Sequence, residues 1–227
     1  MQSQQPGVLG PAMPQAGRQT LSRADAAMFA DGFPKQLRAS VCCVCGRIPM
    51  RTYHNAGSAA SEEPFSWLLP DGQAIAFPYR LYILDSVPAS VFTPVQQTIY
   101  HCLFSRSCDG FVRERHIGAL LEGEPPLWAI PYILKVCDEY VVEILELIYS
   151  RLAQRDTKWY RQLFSLNPRA LLSGYSRMIS YWNEYYRERW SSYRQYVRYR
   201  LYRECFGYTD ALAGGCKTGL DRREPAC

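Results

Sequence analysis

The sequence contains two similar stretches that begin 29 residues apart, one at Asp109 and the other at Asp138. In each stretch a Val follows the Asp by three residues, a Glu follows that Val by two, and an apolar run comes next. A repeat of this length is typical of helical pairs that stack on one another and bury a shared core. The repeat therefore predicts a mainly helical chain, and stacked pairs usually form binding surfaces.

The composition predicts a folded protein without a membrane span. Of the 227 residues, 48% are hydrophobic, which is enough for a substantial core. No apolar run approaches the roughly 20 residues that cross a bilayer. The N-terminus lacks the basic and apolar regions of a secretory signal. Since the nine cysteines are odd in number, they cannot all pair internally, and we expect a cytoplasmic protein with free thiols and no membrane partner.

Composition divides the chain into four regions. Residues 1–37 are rich in Gln, Gly and Pro and predict a disordered tail. Residues 38–92 predict a small Cys-containing β module with a hairpin that turns at Pro70-Asp71-Gly72. Residues 93–208 predict a helical domain, and residues 209–227 predict a flexible tail. The predicted fold class is mainly α, a bundle of helical pairs with a small N-terminal β-containing module.

Local signals mark the beginnings of two helices. Thr93-Pro94 with Gln96 predicts a capping box, in which Thr caps the helix and Pro occupies its first position. Asn167-Pro168 predicts a second start, with Asn as the cap. No Pro or Gly interrupts Tyr175 to Phe206, so we expect one continuous helix about 50 Å long at 1.5 Å per residue.

The first copy of the repeat resembles the HEAT-type helical repeat. Asp109 followed by Val112-Arg113 matches a pattern in which the turn between paired helices carries an Asp and a Val-Arg pair opens the second helix. The resemblance covers residues 93–153 and implies two stacked helical pairs, in which the Asp caps the second helix or binds the Arg of a neighbouring repeat. Val142 replaces the Arg in the second copy, so an Asp–Arg ladder cannot run through both copies. The alternative is an irregular helical domain.

The long helix predicted at the C-terminus is rich in Tyr and Arg. One apolar stripe should pack on the core, and it consists of Met178, Trp182, Tyr186, Trp190, Tyr193, Val197, Leu201 and Cys205. The candidate binding residues are Arg187, Arg194, Arg198, Tyr185 and Tyr196. Arg and Tyr are frequent at protein interfaces, and they can also track phosphates and stack on unpaired bases. A third interpretation places these side chains at the edge of the core, with Arg stacked on Tyr.

Cys42 and Cys45 are the candidate metal-binding residues. Their spacing allows two thiolates to reach one Zn²⁺ from a turn. The chain has no second CxxC pair, so the alternative is that these cysteines are buried or idle in a β segment. Zinc is the sole cofactor that the sequence suggests.

Three residues invite a catalytic interpretation, namely His101, His116 and Asp109. The interpretation is poor because His101 and Cys102 are adjacent on a predicted helix and point about 100° apart, whereas a Cys–His nucleophile pair needs hydrogen-bond contact. A structural role is favoured for His116, and no catalytic residue is predicted. The sequence thus predicts a non-enzymatic protein-interaction or scaffold protein. The alternative function is nucleic-acid binding through the Arg/Tyr-rich helix.

Overall fold

The computed structural model describes residues 20–209. This part of the chain forms nine α-helices and one two-stranded sheet, which confirms the mainly α class with a small β element. The helices are α1 (Arg23–Ala30), α2 (Arg38–Cys45), α3 (Pro94–Phe104), α4 (Gly110–Leu120), α5 (Ile130–Val136), α6 (Val142–Leu152), α7 (Lys158–Leu166), α8 (Pro168–Tyr181) and α9 (Val197–Arg200). The strands are β1 (Pro64–Leu68) and β2 (Ala74–Pro78). Within residues 20–209, every helix is too short or too polar to cross a membrane.

Helices α3 and α4 begin where their capping residues predict. Thr93 and Gln96 form the capping box of α3, and Gln96 Oε1 accepts a hydrogen bond from the Thr93 N–H at 3.2 Å. The Asp109 carboxylate caps α4 by accepting from the Phe111 N–H at 2.9 Å. The second copy differs, because α6 has Val141 as its cap residue and Asp138 is buried before it. The two aspartates of the repeat therefore have different structural roles.

The β hairpin forms as predicted, with β1 antiparallel to β2 and Trp67 opposite Ile75. Gly72 in the turn has a φ of +84°, a conformation that side chains with a Cβ disfavour. Trp67 contacts Phe164 of α7 at a centroid distance of 5.6 Å, and Phe77 stacks on Tyr132 of α5 at 4.1 Å. The hairpin thus shares one hydrophobic core with the helices.

Helix α8 begins at Asn167-Pro168 as predicted, but the Asn167 side chain joins the hairpin to the helices instead of capping α8. Its Oδ1 accepts from the Leu68 N–H and its Nδ2 donates to the Leu68 carbonyl, both at 2.9 Å. The predicted side-chain cap of α8 is therefore wrong. The Asn167 amide satisfies the backbone N–H and carbonyl of Leu68 at the end of β1, in place of an N–H at the start of α8.

The predicted N-terminal tail is too long, because residues 20–37 belong to the fold. Ser22 and Asp25 form a capping box at the start of α1. Phe29 is 1% exposed, and Phe33 stacks on Tyr132 at 5.3 Å. These aromatic side chains bury enough apolar surface to order a segment of otherwise polar composition. The rest of the predicted tails, residues 1–19 and 210–227, lies outside the described residues.

The continuous helix predicted from Tyr175 to Phe206 is wrong. Helix α8 ends in a π-helical turn at Trp182–Tyr186, and α9 runs into another at Leu201–Cys205. Between them the backbone of Tyr196 is extended, and Ser192 Oγ accepts from the Arg194 N–H. The chain reverses there, so that Tyr175 and Tyr208 stack at a centroid distance of 3.6 Å.

Aromatic packing explains the reversal where no Pro or Gly does. Trp182 Nε1 donates to the carbonyl of Trp190 at 2.9 Å, and the Tyr186 ring stacks on Tyr196 at 5.2 Å. These contacts replace helical hydrogen bonds and bring together α8 and α9, the two arms of the chain reversal. The predicted apolar stripe still faces the core, with Met178, Val197, Leu201 and Cys205 buried and Trp182, Tyr186, Trp190 and Tyr193 packed against them.

Candidate functional site

Two adjacent carboxylates, Asp138 and Glu139, lie in the turn that follows α5, and they are only 8% and 3% exposed. Three guanidinium groups surround Glu139. Arg80 Nη1 lies 2.6 Å from Oε1, Arg106 Nη2 lies 2.9 Å from the same oxygen, and Arg113 Nε lies 3.1 Å from Oε2. Arg80 follows the hairpin, Arg106 follows α3, and Arg113 lies near the start of α4. The Glu139 carboxylate therefore joins three parts of the chain.

Asp138 binds three further cations. Lys135 Nζ and Arg198 Nη2 each lie 3.0 Å from its carboxylate, and Arg177 Nε donates to Oδ1 at 3.1 Å. Arg177 belongs to α8 and Arg198 to α9, so Asp138 holds both arms of the C-terminal reversal against α5. Together these eight side chains form the Asp138–Glu139 cluster.

The Asp138–Glu139 cluster contains six cationic side chains and two carboxylates, so it holds an excess of positive charge. Burial alone would raise the pKa of Glu139, but Arg106, Arg80 and Arg113 outweigh it and hold that pKa below its usual value. Burial lowers the pKa of Lys135, and Asp138 opposes that shift. The cluster therefore projects a positive field onto the surface that covers it.

Aromatic rings cover the cationic groups. The Tyr79 ring centroid lies 4.6 Å from Arg80 Cζ and 4.8 Å from Lys135 Nζ. The Phe65 ring lies 3.9 Å from the same Lys135 Nζ. These distances are those of cation–π contacts, which stabilise a partly desolvated cation. Tyr79 is 41% exposed, so it remains partly open to solvent.

Three more tyrosines, two of them exposed and Tyr181 half-buried, form a contiguous group beside the cluster. The rings of Tyr140, Tyr181 and Tyr185 contact one another pairwise at centroid distances of 5.5, 5.8 and 6.2 Å. Tyr140 is 50% exposed and Tyr185 is 58% exposed. Burial and then nearby Tyr79 raise the pKa of Tyr181, whereas Arg198 and Arg177 oppose that rise. Arg198 Cζ lies 5.5 Å from the centroid of the Tyr181 ring. We call Tyr79, Tyr140, Tyr181, Tyr185 and Arg177 the tyrosine face.

The structure separates the five candidate binding residues. Tyr185 lies on the tyrosine face, and Arg187 is exposed beside it in a shallow cavity of about 460 Å³. Arg194 is exposed at the chain reversal. Arg198 and Tyr196 are fully buried, so a surface role for these two is wrong. The chain reversal turns them inward, where Arg198 neutralises Asp138.

Of the tyrosine face, Tyr79, Tyr140, Tyr181 and Arg177 were not predicted from the sequence. The available signal was the pair Asp138-Glu139, two acids directly after an otherwise apolar helix, because buried carboxylates require cationic partners. The identity of those partners depends on the tertiary fold.

Cys42 and Cys45 lie on α2, so the prediction that they belong to a β segment is wrong. Cys42 is exposed and Cys45 is buried. Burial, and then Cys42 and Asp25, raise the pKa of Cys45 to about 12, whereas zinc binds the thiolate. Between residues 20 and 209 no group of three or more His, Cys, Asp or Glu side chains is arranged to hold a metal ion.

His101 and His116 lie together, with their Nδ1 atoms 2.8 Å apart. Asp109 caps α4, and the carboxylate that contacts His116 is that of Asp85, whose Oδ2 lies 2.8 Å from His116 Nε2. The interpretation from sequence missed Asp85 because it precedes α3 and is brought to the histidines by tertiary packing.

Lowering the pH is expected to destabilise the protein through His101. Burial and neighbouring His116 lower the pKa of His101 to about 4, whereas an unfolded histidine has a pKa of about 6.5. Between these values the unfolded chain binds a proton that the folded chain does not, so stability rises with pH there. We expect His101→Gln to reduce this slope, measured as the free energy of unfolding in urea at about pH 7 and about pH 5. An unchanged slope in the variant would contradict the assignment.

Comparison of the chain with protein-family models, with curated proteins and with solved structures finds no match.

Proposed function

We propose that this protein is an interaction protein that binds an acidic segment of a protein partner through the tyrosine face. The observation that carries the proposal is a contiguous group of three tyrosine rings, two of them exposed, which lies beside a buried cluster with excess positive charge. Tyrosine is enriched at binding hot spots because its ring buries a large area and loses little side-chain entropy.

The rigid support of the tyrosine face favours binding. Arg177 is 40% exposed and already held by Asp138, so a partner carboxylate would meet a guanidinium with restricted freedom. The Tyr186 hydroxyl donates to the Tyr140 carbonyl and fixes the turn that presents the Tyr140 ring. A surface that is ordered before binding loses less conformational entropy when the partner docks.

Single-stranded nucleic acid is the second candidate ligand. Tyr185 with exposed Arg187 offers a ring for base stacking and a cation for phosphate. The exposed carboxylates of Glu184 and Glu188 lie in the same cavity and would repel a phosphate backbone. This arrangement favours a protein partner, because a protein segment can place its carboxylates at Arg177 and uncharged groups beside these glutamates, whereas a nucleic acid carries a phosphate at every nucleotide. Binding of a fluorescent single-stranded oligonucleotide that weakens steeply with added salt would favour nucleic acid instead.

The double variant Tyr140→Ser and Tyr185→Ser is expected to lose the bound partner. Removing two exposed hot-spot tyrosines should weaken binding by about 2–4 kcal/mol in total, since truncating one hot-spot side chain costs about 2 kcal/mol or more and the effects of neighbouring ones are not additive. The measurement is affinity capture from source cells with quantitative mass spectrometry, comparing tagged wild-type and variant proteins. The identified partner is then titrated directly by calorimetry.

Phe111→Ser is the matched control, because Phe111 is an aromatic side chain that is 82% exposed on α4. The control should retain every partner that the wild type captures. Loss of the same partners from the control, or their retention by the double variant, would show that the tyrosine face is not the binding surface.

A further inference from the structure

A chain of hydrogen bonds connects three side chains outside the tyrosine face. Asp85 lies in the segment before α3, His101 on α3 and His116 on α4. Asp85 Oδ2 lies 2.8 Å from His116 Nε2, and His116 Nδ1 lies 2.8 Å from His101 Nδ1. The ring of Phe104 stacks on His116 at 5.3 Å and fixes its plane. His116 is 3% exposed, whereas His101 is half-buried.

The carboxylate determines which nitrogen carries the proton on each ring. Burial alone would raise the pKa of Asp85, but hydrogen bonds from His116, Tyr100 and Arg115 hold it well below the usual range. Ionised Asp85 accepts from His116 Nε2–H, so a neutral His116 has its lone pair on Nδ1. His101 must then donate from its own Nδ1, so its second nitrogen, Nε2, carries the free lone pair.

His101 opens onto a cavity of about 410 Å³ between the segment before α3 and α4. Val87, Pro88 and Ala89 provide an apolar side, and Arg115 provides a guanidinium on the other. Among residues 20–209 no hydrogen-bond partner occupies His101 Nε2. The cavity has room for the small acyl group of an ester, whose carbonyl oxygen would face the Arg115 guanidinium.

We infer that His101 Nε2 is the nucleophile of an acyl-transfer site that takes small activated carboxylic esters. The lone pair of Nε2 forms a bond to the carbonyl carbon, and the bond from that carbon to the leaving oxygen breaks with its electron pair. The Nδ1 proton of His101 passes to His116 Nδ1, and the leaving alcoholate takes a proton from water, which leaves hydroxide. Hydroxide then attacks the carbonyl carbon of the acyl-imidazole, and the carbon–nitrogen bond breaks with its electron pair on His101. His116 returns the proton to His101 Nδ1, so that one alcohol and one acid are released and both histidines are restored.

The arrangement has the order nucleophile, base and carboxylate that activates nucleophiles in covalent catalysis. Without His116, attack by His101 would leave both the acyl group and a positive charge on one ring. Transfer of the Nδ1 proton moves that charge to His116, where Asp85 stabilises it. His116 and Asp85 are positioning residues. The charged and titratable groups that face His101 are Asp85, Tyr100, Arg115 and His116, and His101 is neutral at pH 7 because its pKa is lowered to about 4.

Carbethoxylation by diethyl pyrocarbonate tests the nucleophile directly on the full chain. The chain has three histidines, and His54 is the exposed one, so accessibility alone predicts that His54 reacts first. We expect His101 to react faster than His54 by on the order of 10²-fold, the lower end of what a positioned base contributes. Peptide mapping by mass spectrometry over time gives both rates in one sample. Equal rates, or a faster His54, would overturn the inference.

Two sets of variants test the remaining parts of the site. Asp85→Asn should bring the rate at His101 close to that at His54, with folding checked by circular dichroism; an unchanged rate in a folded variant would overturn the role of Asp85. Hydrolysis of p-nitrophenyl acetate should be lost in His101→Gln and retained in His54→Asn, where Asn tolerates the local φ of 51°. The same hydrolysis rate in wild type and both variants would overturn the inference. The outcomes of these two experiments do not depend on whether the tyrosine face binds a partner.

Discussion

Replacing Glu139 by Gln is expected to lower the free energy of unfolding by about 3–5 kcal/mol, the usual cost of removing one partner from a buried ion pair. The amide has nearly the same shape but no charge, so Arg80, Arg106 and Arg113 would face one another without a counter-charge. Arg106 is 1% exposed and cannot recover its hydration without unfolding. Urea denaturation followed by circular dichroism measures the difference.

Glu146→Gln is the matched control, since it makes the same chemical change at an exposed pair. Glu146 and Arg189 are 2.8 Å apart, but their side chains are 45% and 53% exposed. Such pairs contribute about 0–1 kcal/mol. A similar loss of unfolding free energy in both variants would mean that the buried ion pairs of Glu139 stabilise the protein no more than an exposed pair does.

The difference in unfolding free energy between wild type and Glu139→Gln is expected to depend on pH. The pKa of Glu139 is depressed in the folded protein, so its stabilisation is present above the unfolded value of about 4.3 and is lost as the pH falls through the folded value. The stability gap between wild type and Glu139→Gln should therefore narrow in acid.

Gly174→Ala is expected to destabilise the protein by about 3 kcal/mol, the upper end of the usual cost of overpacking. In most helices this substitution is favourable by up to about 1 kcal/mol. Here a Cβ would lie 2.0 Å from Tyr202 Oη and 3.0 Å from Asp138 Oδ1. Tyr202 is 1% exposed and packs on Phe206, so it cannot swing aside.

Gly118→Ala in α4 is the matched control, because its Cβ would meet only Leu147 Cδ2, at 3.7 Å. We expect a gain of about 0.5–1 kcal/mol from helix propensity alone. Thermal unfolding of the two variants should shift in opposite directions. A gain in both would show that Tyr202 can move and that the close approach at Gly174 is not rigid.

Features that depend on a few neighbouring residues were predictable from the sequence. The α3 capping box needs only Thr93 and Gln96, the α4 cap needs only Asp109, and the hairpin turn needs Gly72 at positive φ. Each is a local hydrogen bond or a local backbone restriction, so the type of residue is sufficient information. The class of the fold followed because such signals recur along the chain.

Features that depend on distant contacts were not predictable. The chain reverses near Ser192 because Trp182, Tyr186 and Tyr196 pack together, although the local sequence favours a helix. Arg198 is buried because Asp138, 60 positions away, needs a cation. Since helix propensity is a weak prior that tertiary packing overrides, a local interpretation placed Arg198 and Tyr196 on the surface.

The histidine site illustrates the same limit. The sequence identifies His101 and His116 as candidates. Their spacing along the chain does not show that they are in contact, because they lie on two separate helices. Asp85 joins them from 31 positions before His116, so the wrong carboxylate, Asp109, was the nearer choice in sequence. Helix packing of α3 against α4 supplies the missing geometry.

The Asp138–Glu139 cluster also has a consequence for synthesis of the chain. Ribosomes release the N-terminal part first, and Asp138 emerges 60 residues ahead of Arg198, its partner on α9. Until then the nascent polypeptide lacks the segment that closes its core, and contacts this distant in sequence form slowly. We therefore expect ribosome-bound chains that stop before α9 to remain sensitive to protease, and chains that extend past Tyr208 to become resistant.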